Sequence, residues 1–302
     1  MSNDTAHPTL DEEEPFHRIL WYSDPGKGKT TNIANAAKFG KVIYIDSENG
    51  LKAKALRSHG IPVENIEPHR NTTYEGLEAL HQEIYERLIS GEPIFATAWD
   101  TTTKAAASLL DTIAYESAIK ATRIGKDKTE FDTWQDDYGT LAAKMRKLIR
   151  RFHDLPCHLL IGAHQRRDID EETSTVSIGP ALSPAVQQDL VGYMDVVIHC
   201  RTEEFNDEDE FSGLTRPRGR FMAKDRYRML PPFLIDPTFE RVVDYIDDKI
   251  DRDKDPLQLL ARKRRADRAT AEVEKSAEKA AAKAAAKAAD KAEPKPAEKA
   301  KA

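Results

Sequence analysis

Short apolar runs alternate along the chain with longer segments in which apolar residues recur at helical spacing. The apolar runs predict strands at residues 19–22, 41–46, 94–99, 157–163, 195–200 and 221–224, with a short edge strand at 61–66. The intervening segments predict helices at residues 32–39, 72–90, 104–120, 134–152 and 183–192. This alternation is typical of an α/β fold, in which a mainly parallel twisted sheet has helices on both faces.

The chain departs from this alternation after residue 163. Polar residues 164–180 predict a loop, and residues 201–220 predict a hairpin around an acidic tip at 203–210, which adds antiparallel strands at one edge. Composition then divides the chain into a disordered acidic arm (1–15), an α/β core (16–237), a charged helical extension (238–271) and an Ala/Lys/Glu-rich tail (272–302). The tail has no apolar stripe, so it predicts either a solvated single helix or a flexible arm.

Charge and cysteine content narrow the class of protein. The 302 residues carry a net charge of −6, so nucleic-acid binding would need local basic patches. The only cysteines, Cys157 and Cys200, lie in apolar runs and are predicted to be buried in a reducing compartment. No secretory signal is visible and no apolar run is long enough to span a membrane. We therefore expect a cytoplasmic protein without a membrane partner.

The strongest candidate for chemistry lies between the first predicted strand and the first predicted helix. The nine residues that would line a phosphate-binding loop there are Ser23, Asp24, Pro25, Gly26, Lys27, Gly28, Lys29, Thr30 and Thr31. Glycines let the backbone approach a polyphosphate, Lys29 would reach the β- and γ-phosphates, and Thr30 would bind Mg²⁺. The run fits G-x-x-x-x-G-K-[ST] except at the first glycine, where Ser23 stands. It predicts a nucleotide site, and the alternative is an ordinary glycine-containing turn.

Polar residues also follow other predicted strands at the same sheet edge, where ligands bind in such folds. Asp100 fits a role in the Mg²⁺ shell together with Thr30, or a plain helix N-cap. Glu48 fits a general base that polarises the attacking water, or a solvated turn residue. His164 and Gln165 fit sensors of the γ-phosphate, or satisfied surface residues.

A cluster of cations follows the last predicted strand, at Lys224, Arg226 and Arg228. Such clusters usually form a solvated face. Cations held at a neighbouring subunit's γ-phosphate would instead stabilise transition-state charge, as an arginine finger does. Both interpretations stay open at this point.

Several of these segments together resemble the RecA-like P-loop ATPases. Residues 42–51, V-I-Y-I-D-S-E-N-G-L, resemble the segment whose glutamate is the catalytic base, and Glu48 takes that position. Asp100-Thr101-Thr102 resembles the end of the Walker B strand. Lys224-Asp225-Arg226-Tyr227 resembles the K-N-R-F of RadA and the K-x-R of DnaB-type helicases, with aspartate in place of asparagine. The resemblance implies that Lys224 and Arg226 enter the ATP site of an adjacent subunit and are catalytic, together with Lys29 and Glu48.

The resemblance covers residues 16–237 and is greatest to the short, phage-encoded RecA-like recombination and single-strand annealing ATPases. It is carried by Trp134, Tyr138-Gly139 and the runs M-R-K-L-I-R-R-F-H-D-L-P and H-L-L-I-G-A-H, which end at Pro156 and His164. It implies ATP and Mg²⁺ as cofactors, a filament or ring of identical subunits, single-stranded DNA as partner, and the host cytoplasm as the location if the gene is phage-encoded.

DNA contact is expected in the loops after the fourth and fifth strands, as in RecA-like proteins. The basic residues predicted to lie there are Arg166, Arg167, Arg216, Arg218 and Arg220. Acidic residues at 168–172 and 203–210 favour a solvated loop instead. Phe211 is a candidate for stacking on DNA bases. The Lys-rich tail would attach to DNA, to a single-strand-binding protein or to another recombination partner, or would act as a solubilising arm.

Four functions remain open from the sequence. The first is a DNA-stimulated ATPase that acts as a recombinase or annealing protein. A ring-forming helicase or translocase shares every motif but would normally carry an accessory domain. A phosphotransferase or switch unrelated to DNA would not need Lys224 and Arg226, and a binding module with an inactive site would not need Glu48.

Overall fold

The computed structural model describes residues 16–169, 174–205 and 208–292. Its strands are β1 (Arg18–Ser23), β2 (Lys41–Asp46), β3 (Ile66–His69), β4 (Ile94–Asp100), β5 (His158–Ile169), β6 (Val176–Pro180), β7 (Val196–Phe205), β8 (Glu208–Leu214), β9 (Lys224–Asp225) and β10 (Phe233–Ile235). Its helices are α1 (Lys29–Ala34), α2 (Ala53–Ser58), α3 (Tyr74–Ile89), α4 (Thr102–Arg123), α5 (Gln135–His153), α6 (Pro184–Tyr193), α7 (Phe239–Ile246) and α8 (Pro256–Ala292). The acidic arm and the end of the tail lie outside the described residues.

The sheet has the order β10-β8-β7-β1-β5-β4-β2-β3, with β6 paired to β5 and β9 paired to β7. The neighbouring strands from β7 to β3 in this order pair in parallel. β8 pairs antiparallel with β7, and β10 pairs antiparallel with β8. Ser23 at the end of β1 lies opposite His164 on β5, and Asp46 on β2 lies opposite Asp100 on β4. The predicted fold class, with its antiparallel edge hairpin, is therefore confirmed.

Residues of β1 alternate between two hydrophobic cores, one on each face of the sheet. Leu20 and Tyr22 belong to the core that α3, α4, α5 and α6 cover. Ile19 and Trp21 belong to the other core, which α1 and α7 cover. All four are fully buried, as expected for a central strand of a sheet covered on both faces.

Several predicted elements differ in extent. Residues 165–169 and 176–180, which were predicted as part of a loop, form a two-stranded ribbon, because β5 continues to Ile169 and pairs antiparallel with β6. The edge strand is β3, so the predicted strand at 61–66 is replaced by a 3-10 turn at Val63–Asn65. The predicted helix at 32–39 begins earlier, at Lys29, and continues as the 3-10 turn Asn35–Lys38. The predicted strand at 221–224 shortens to the two residues of β9.

The chain divides into two compact units, and the division along the sequence falls between Ile250 and Asp251. The first unit includes α7, whose Phe239, Val242 and Tyr245 are buried in the core that contains Trp21. The core therefore continues past residue 237, where composition placed its end. The second unit contains α8, which is helical from Pro256 to Ala292. Within the described residues, no helix combines the length and the apolar character that crossing a membrane requires.

Candidate functional site

The phosphate loop connects β1 to α1 at the carboxyl edge of the parallel strands. Gly26 and Gly28 adopt left-handed backbone conformations, with φ of 76° and 79°, that side chains rarely tolerate. A Cβ at Gly26 would meet no atom within 4 Å, so the backbone there is open to a ligand. These two conformations explain why the loop needs glycine at both positions.

Ser23, which stands at the first glycine position of the motif, accepts hydrogen bonds from Lys29. The Lys29 ammonium donates hydrogen bonds to the carbonyl and hydroxyl oxygens of Ser23, both at 3.1 Å, and to the carbonyl oxygen of Asp24 at 3.0 Å. Burial lowers the pKa of Lys29, although the Asp100 carboxylate opposes that shift. The side chain that departs from the motif thus provides an acceptor that holds the lysine against its own loop.

Asp100 lies almost fully buried beside Thr30. The Thr30 hydroxyl donates to Asp100 Oδ2 at 2.6 Å, and the Tyr44 hydroxyl donates to the same oxygen at 3.0 Å. Asp100 Oδ1 is buried and has no hydrogen-bond partner among the described residues. A Cβ at Gly162 would lie 2.4 Å from Oδ1, so glycine makes the room for this carboxylate. Burial raises the pKa of Asp100, and the hydrogen bonds from Thr30 and Tyr44 oppose the rise.

Glu48 is held by residues that follow two other strands. The His164 ring lies 2.6 Å from Glu48 Oε1 through its Nε2, and the Thr101 hydroxyl donates to the same oxygen at 2.9 Å. Burial opposes ionisation of Glu48, but these hydrogen bonds and the charge of Lys29 lower its pKa overall. The carboxylate is therefore ionised at neutral pH. Both hydrogen bonds from the described part of the chain go to Oε1, so Oε2 has room for another partner.

These groups share one pocket of about 360 Å³, within the range of about 300–1,000 Å³ usual for small-molecule sites. Its lining consists of Pro25, Gly26, Gly28, Lys29, Thr30, Thr31, Glu48, Asp100, Thr101, His164 and Phe211. The structure thus brings together the predicted loop, the predicted base and the predicted metal ligand. The family model described as "AAA domain" matches residues 16–227. The chain belongs to the AAA domain family. No curated protein matches the chain.

Membership in this family supports a P-loop ATPase that binds and hydrolyses a nucleotide. Within the described residues, no group of three or more His, Cys, Asp or Glu side chains could hold a metal ion. A magnesium ion in this AAA domain would therefore need phosphate oxygens besides Thr30 and Asp100, as is common for Mg²⁺ bound with a nucleotide. The orphaned Asp100 Oδ1 and the adjacent hydroxyl fit that donor set.

Gln165 connects the phosphate loop of the AAA domain to β7. Its side-chain amide donates to Asp24 Oδ2 at 2.8 Å, and its Oε1 lies 2.9 Å from His199 Nε2. Burial lowers the pKa of His199 to about 4, so this ring is neutral near pH 7. Asp24, Gln165 and His199 line a second pocket of about 330 Å³ together with Lys27 and Arg220. Lys27 therefore faces this second pocket, unlike most of the predicted loop residues.

Lys224 and Arg226 lie away from the nucleotide pocket of their own chain. Lys224 on β9 pairs with Val197 near the start of β7, which lies level with Leu20 on β1. That level is three residues, or about 10 Å, before the end of β1 that leads into the phosphate loop. The Lys224 ammonium donates to the carbonyl oxygens of Val191 and Gly192, at 3.0 and 2.9 Å.

Arg226 and Asp225, which follow Lys224 along the chain, also form hydrogen bonds within their own subunit. Arg226 donates to Asp195 Oδ1 at 2.8 Å, and the Asp225 carboxylate accepts from the backbone N–H groups of Arg228 and Leu230. Aspartate in place of asparagine at 225 thus accepts two N–H groups. Neither Lys224 nor Arg226 can act on the nucleotide of its own chain from this position.

Of the predicted DNA-binding arginines, Arg166 and Arg167 lie on a strand rather than in a loop, whereas the other three lie in the connection between β8 and β9. Arg166 and Arg167 are exposed on the extended half of β5, and Arg166 forms an ion pair with Asp168 at 2.6 Å. The backbone of Arg220 accepts a hydrogen bond from Ile178 on β6, so Arg220 borders the same ribbon. Arg216 donates to the Leu230 carbonyl oxygen at 3.3 Å, and the Arg218 guanidinium lies over the Phe233 ring.

Four residues of the site were not predicted from the sequence as its members: Tyr44, Thr101, His199 and Phe211. Thr101 follows Asp100 directly in a run of threonines, so hydroxyls adjacent to the predicted metal ligand were a usable signal. Tyr44 lies inside an apolar strand, where a hydroxyl pointing at a distant aspartate leaves no trace in the sequence. His199 and Phe211 reach the site through strand pairing between distant segments.

Proposed function

We propose that this AAA domain is a Mg-ATP-dependent ATPase that binds single-stranded DNA in recombination, annealing or repair, and that it hydrolyses ATP between adjacent copies of the chain. The observation that carries the ATPase part is the convergence of Lys29, Glu48 and Asp100 in one pocket. The resemblance to RecA-like ATPases and the surface arginines support the DNA part.

Lys29 binds the β- and γ-phosphates once it exchanges its present acceptors on Ser23 and Asp24 for phosphate oxygens. Thr30 and Asp100 would hold the Mg²⁺ that is bound with ATP, and Tyr44 fixes the orientation of the Asp100 carboxylate. The ion would supply neutralisation of the charge that develops on the phosphates during hydrolysis. Each of these groups is buried or partly buried, so their electrostatic effect is little screened by solvent.

Glu48 acts as the general base that orients and deprotonates the attacking water. It is ionised at neutral pH, and Thr101 and His164 contact only its Oε1. Oε2 is therefore the oxygen that accepts the water's hydrogen bond. His164 contacts Glu48, and Gln165 contacts Asp24 in the phosphate loop. Through these contacts, both residues respond to changes at the γ-phosphate.

Lys224 and Arg226 serve the site of an adjacent copy. Arg226 lies beside Asp195, before β7 begins, and Lys224 lies about 10 Å before the end of β1 that leads into their own phosphate loop. This placement supports action on a neighbouring copy rather than within one chain. Both are anchored to the end of α6, by Gly192 and Asp195, so a neighbour would meet pre-oriented cations. This arrangement supports a homo-oligomer and argues against a monomeric phosphotransferase.

The arginines that border the β5–β6 ribbon are the proposed contacts to DNA. Arg167 is the best placed, because Arg166 is already neutralised by Asp168. Since β5 also carries His164 and Gln165, one continuous strand connects the nucleotide pocket to this basic surface. Nucleotide state and DNA affinity are therefore expected to depend on each other.

The decisive experiment measures ATP turnover of the full chain with and without single-stranded DNA over a range of protein concentrations. We expect stimulation by DNA and a specific activity that rises with concentration, because the site needs a second copy. Arg167→Ala should bind single-stranded DNA more weakly, and the salt dependence of its DNA affinity should fall by about one phosphate contact. Arg57→Ala, which removes an exposed arginine on α2, is the control. Turnover that ignores DNA, together with an unchanged salt dependence of Arg167→Ala, would contradict the DNA part of the proposal.

A further inference from the structure

Phe211 stands out among the lining residues of the nucleotide pocket because it is aromatic and comes from the hairpin strand β8. A Cβ placed on Gly28 would lie 3.2 Å from Phe211 Cδ1, so the ring rests directly against the phosphate loop. The inference below rests on the proposed nucleotide site and deepens it.

The backbone that carries this ring is held by strand pairing on one side and by a hydrogen bond from Asp236 on the other. Phe211 pairs with Thr202 on β7, and its carbonyl oxygen accepts a hydrogen bond from the Asp236 N–H at 2.8 Å. Phe211 is 38% exposed, whereas Ser212 and Leu214 on the same strand are each only 1% exposed. The apolar Phe211 ring thus lies in the wall of the pocket with part of its surface exposed to solvent.

The sheet order separates the reactive end of the pocket from Phe211. Glu48 follows β2, Asp100 ends β4 and His164 lies on β5. These three strands lie on one side of β1, whereas β8 lies on the other side, beyond β7. A triphosphate whose γ end lies among Glu48, Asp100 and His164 has its nucleoside end directed towards β7 and β8. A planar base and an exposed aromatic ring would meet there.

We infer that Phe211 stacks on the base of the bound nucleotide. An aromatic face stacks on a base without hydrogen bonds, so it contributes affinity while discriminating little between adenine and guanine. This places Phe211 in nucleotide binding rather than in the contact with DNA bases that its sequence position suggested. It also accounts for glycine at position 28 on steric grounds, because a side chain there would press on the ring.

The test compares binding of Mg-ATP with binding of magnesium tripolyphosphate, which has the phosphates but no base. Phe211→Ala in the full chain should weaken Mg-ATP binding about tenfold and change tripolyphosphate binding less than about twofold. Phe211→Tyr keeps the aromatic face and should bind Mg-ATP as the unmodified chain does. Phe131→Ala, which removes a ring that is 88% exposed, is the matched control.

Three outcomes would overturn the inference. Equal loss of both ligands in Phe211→Ala, with an unchanged melting temperature, would mean that the ring only shapes the phosphate loop. Unchanged Mg-ATP affinity in Phe211→Ala would mean that no stacking occurs, while the nucleotide site itself stands. An unmodified chain that retains neither ligand would overturn the proposed function and the inference with it.

Discussion

His164 Nε2 and Glu48 Oε1 lie 2.6 Å apart, although 116 residues separate them along the chain. The contact forms because β2 and β5 are parallel strands separated only by β4, so Glu48 after β2 and His164 on β5 lie at the same level of the sheet. Thr101, which follows β4, reaches the same oxygen from between them. The ends of three strands thus position a single carboxylate.

Replacing Glu48 by glutamine should separate binding from hydrolysis. The amide keeps the shape of the side chain but cannot accept a proton, so turnover should fall by about 10²–10⁴-fold while Mg-ATP affinity stays within a few-fold. Single-turnover hydrolysis and equilibrium nucleotide binding measure the two effects. Thr101→Ala, which removes one hydrogen bond to Glu48, should have a much smaller effect on turnover. Turnover in Glu48→Gln equal to that of the unmodified chain would mean that Glu48 is not the general base. Turnover no greater than background in both proteins would favour a nucleotide-binding module with an inactive site.

Mixing two inactive variants tests whether Arg226 acts on a neighbouring site. Lys29→Ala lacks a working nucleotide site, and Arg226→Ala lacks the proposed finger. Equal amounts of the two should restore about a quarter of the normal activity per chain, since random mixing pairs an intact site with an intact finger at that frequency. Lys29→Ala mixed with the Lys29→Ala/Arg226→Ala double variant should restore nothing. Full activity of Arg226→Ala alone would favour a phosphotransferase or switch.

The pH dependence of stability should reveal the ion pair between Arg87 and Glu67. Two hydrogen bonds from Arg87, both 2.8 Å long, lower the pKa of Glu67 from its ordinary value of 4.5 to about 2. A lowered carboxyl pKa stabilises the fold above pH 4.5, and this contribution is lost as the pH falls from 4.5 towards 2. Arg87→Ala should therefore reduce the free energy of unfolding by about 1 kcal/mol at pH 7 and by less as the medium becomes acidic.

Urea unfolding of Arg87→Ala at several pH values measures this difference. Arg57→Ala, on the exposed α2, should match the unmodified chain throughout. A destabilisation by Arg87→Ala that does not change with pH would mean that the arginine contributes packing rather than charge.

Phe239 tests whether α7 belongs to the core. Its ring is fully buried and contacts the rings of Phe39 and Phe95. Phe239→Ala should lower the free energy of unfolding by about 3–5 kcal/mol, because it removes a buried aromatic ring and leaves a cavity. Phe131→Ala, where the ring is 88% exposed, should change it by less than about 0.5 kcal/mol. Equal effects of the two variants in urea unfolding would place α7 outside the core.

Apolar runs and the polar residues after them were enough to predict the phosphate loop, the candidate base and the candidate metal ligand. Lys29, Glu48 and Asp100 follow apolar strands, and parallel topology brings such positions together regardless of the intervening sequence. The extension of β5 past Ala163 was predicted as a loop because its residues are mostly polar. None of the residues from His164 to Ile169 is buried, so this part of β5 lacks the apolar alternation that would reveal a strand.

Other parts depend on long-range packing that no short segment encodes. The segment containing α7 is highly charged, which favoured a separate extension, yet Phe239, Val242 and Tyr245 suffice to bury one face of it. Phe211 reaches the phosphate loop only because β8 pairs with β7 in a particular register. Neither outcome could be predicted from composition or spacing.

The distance of Lys224 and Arg226 from their own phosphate loop has a consequence for stoichiometry. If each copy gives its cations to the next and receives them from the previous one, the contact joins two different surfaces, so it propagates instead of closing as a symmetric pair. An open chain of copies then always ends in one subunit whose pocket lacks its partner. Activity per subunit should increase with assembly length and level off, unless the ends join into a ring and every pocket is completed.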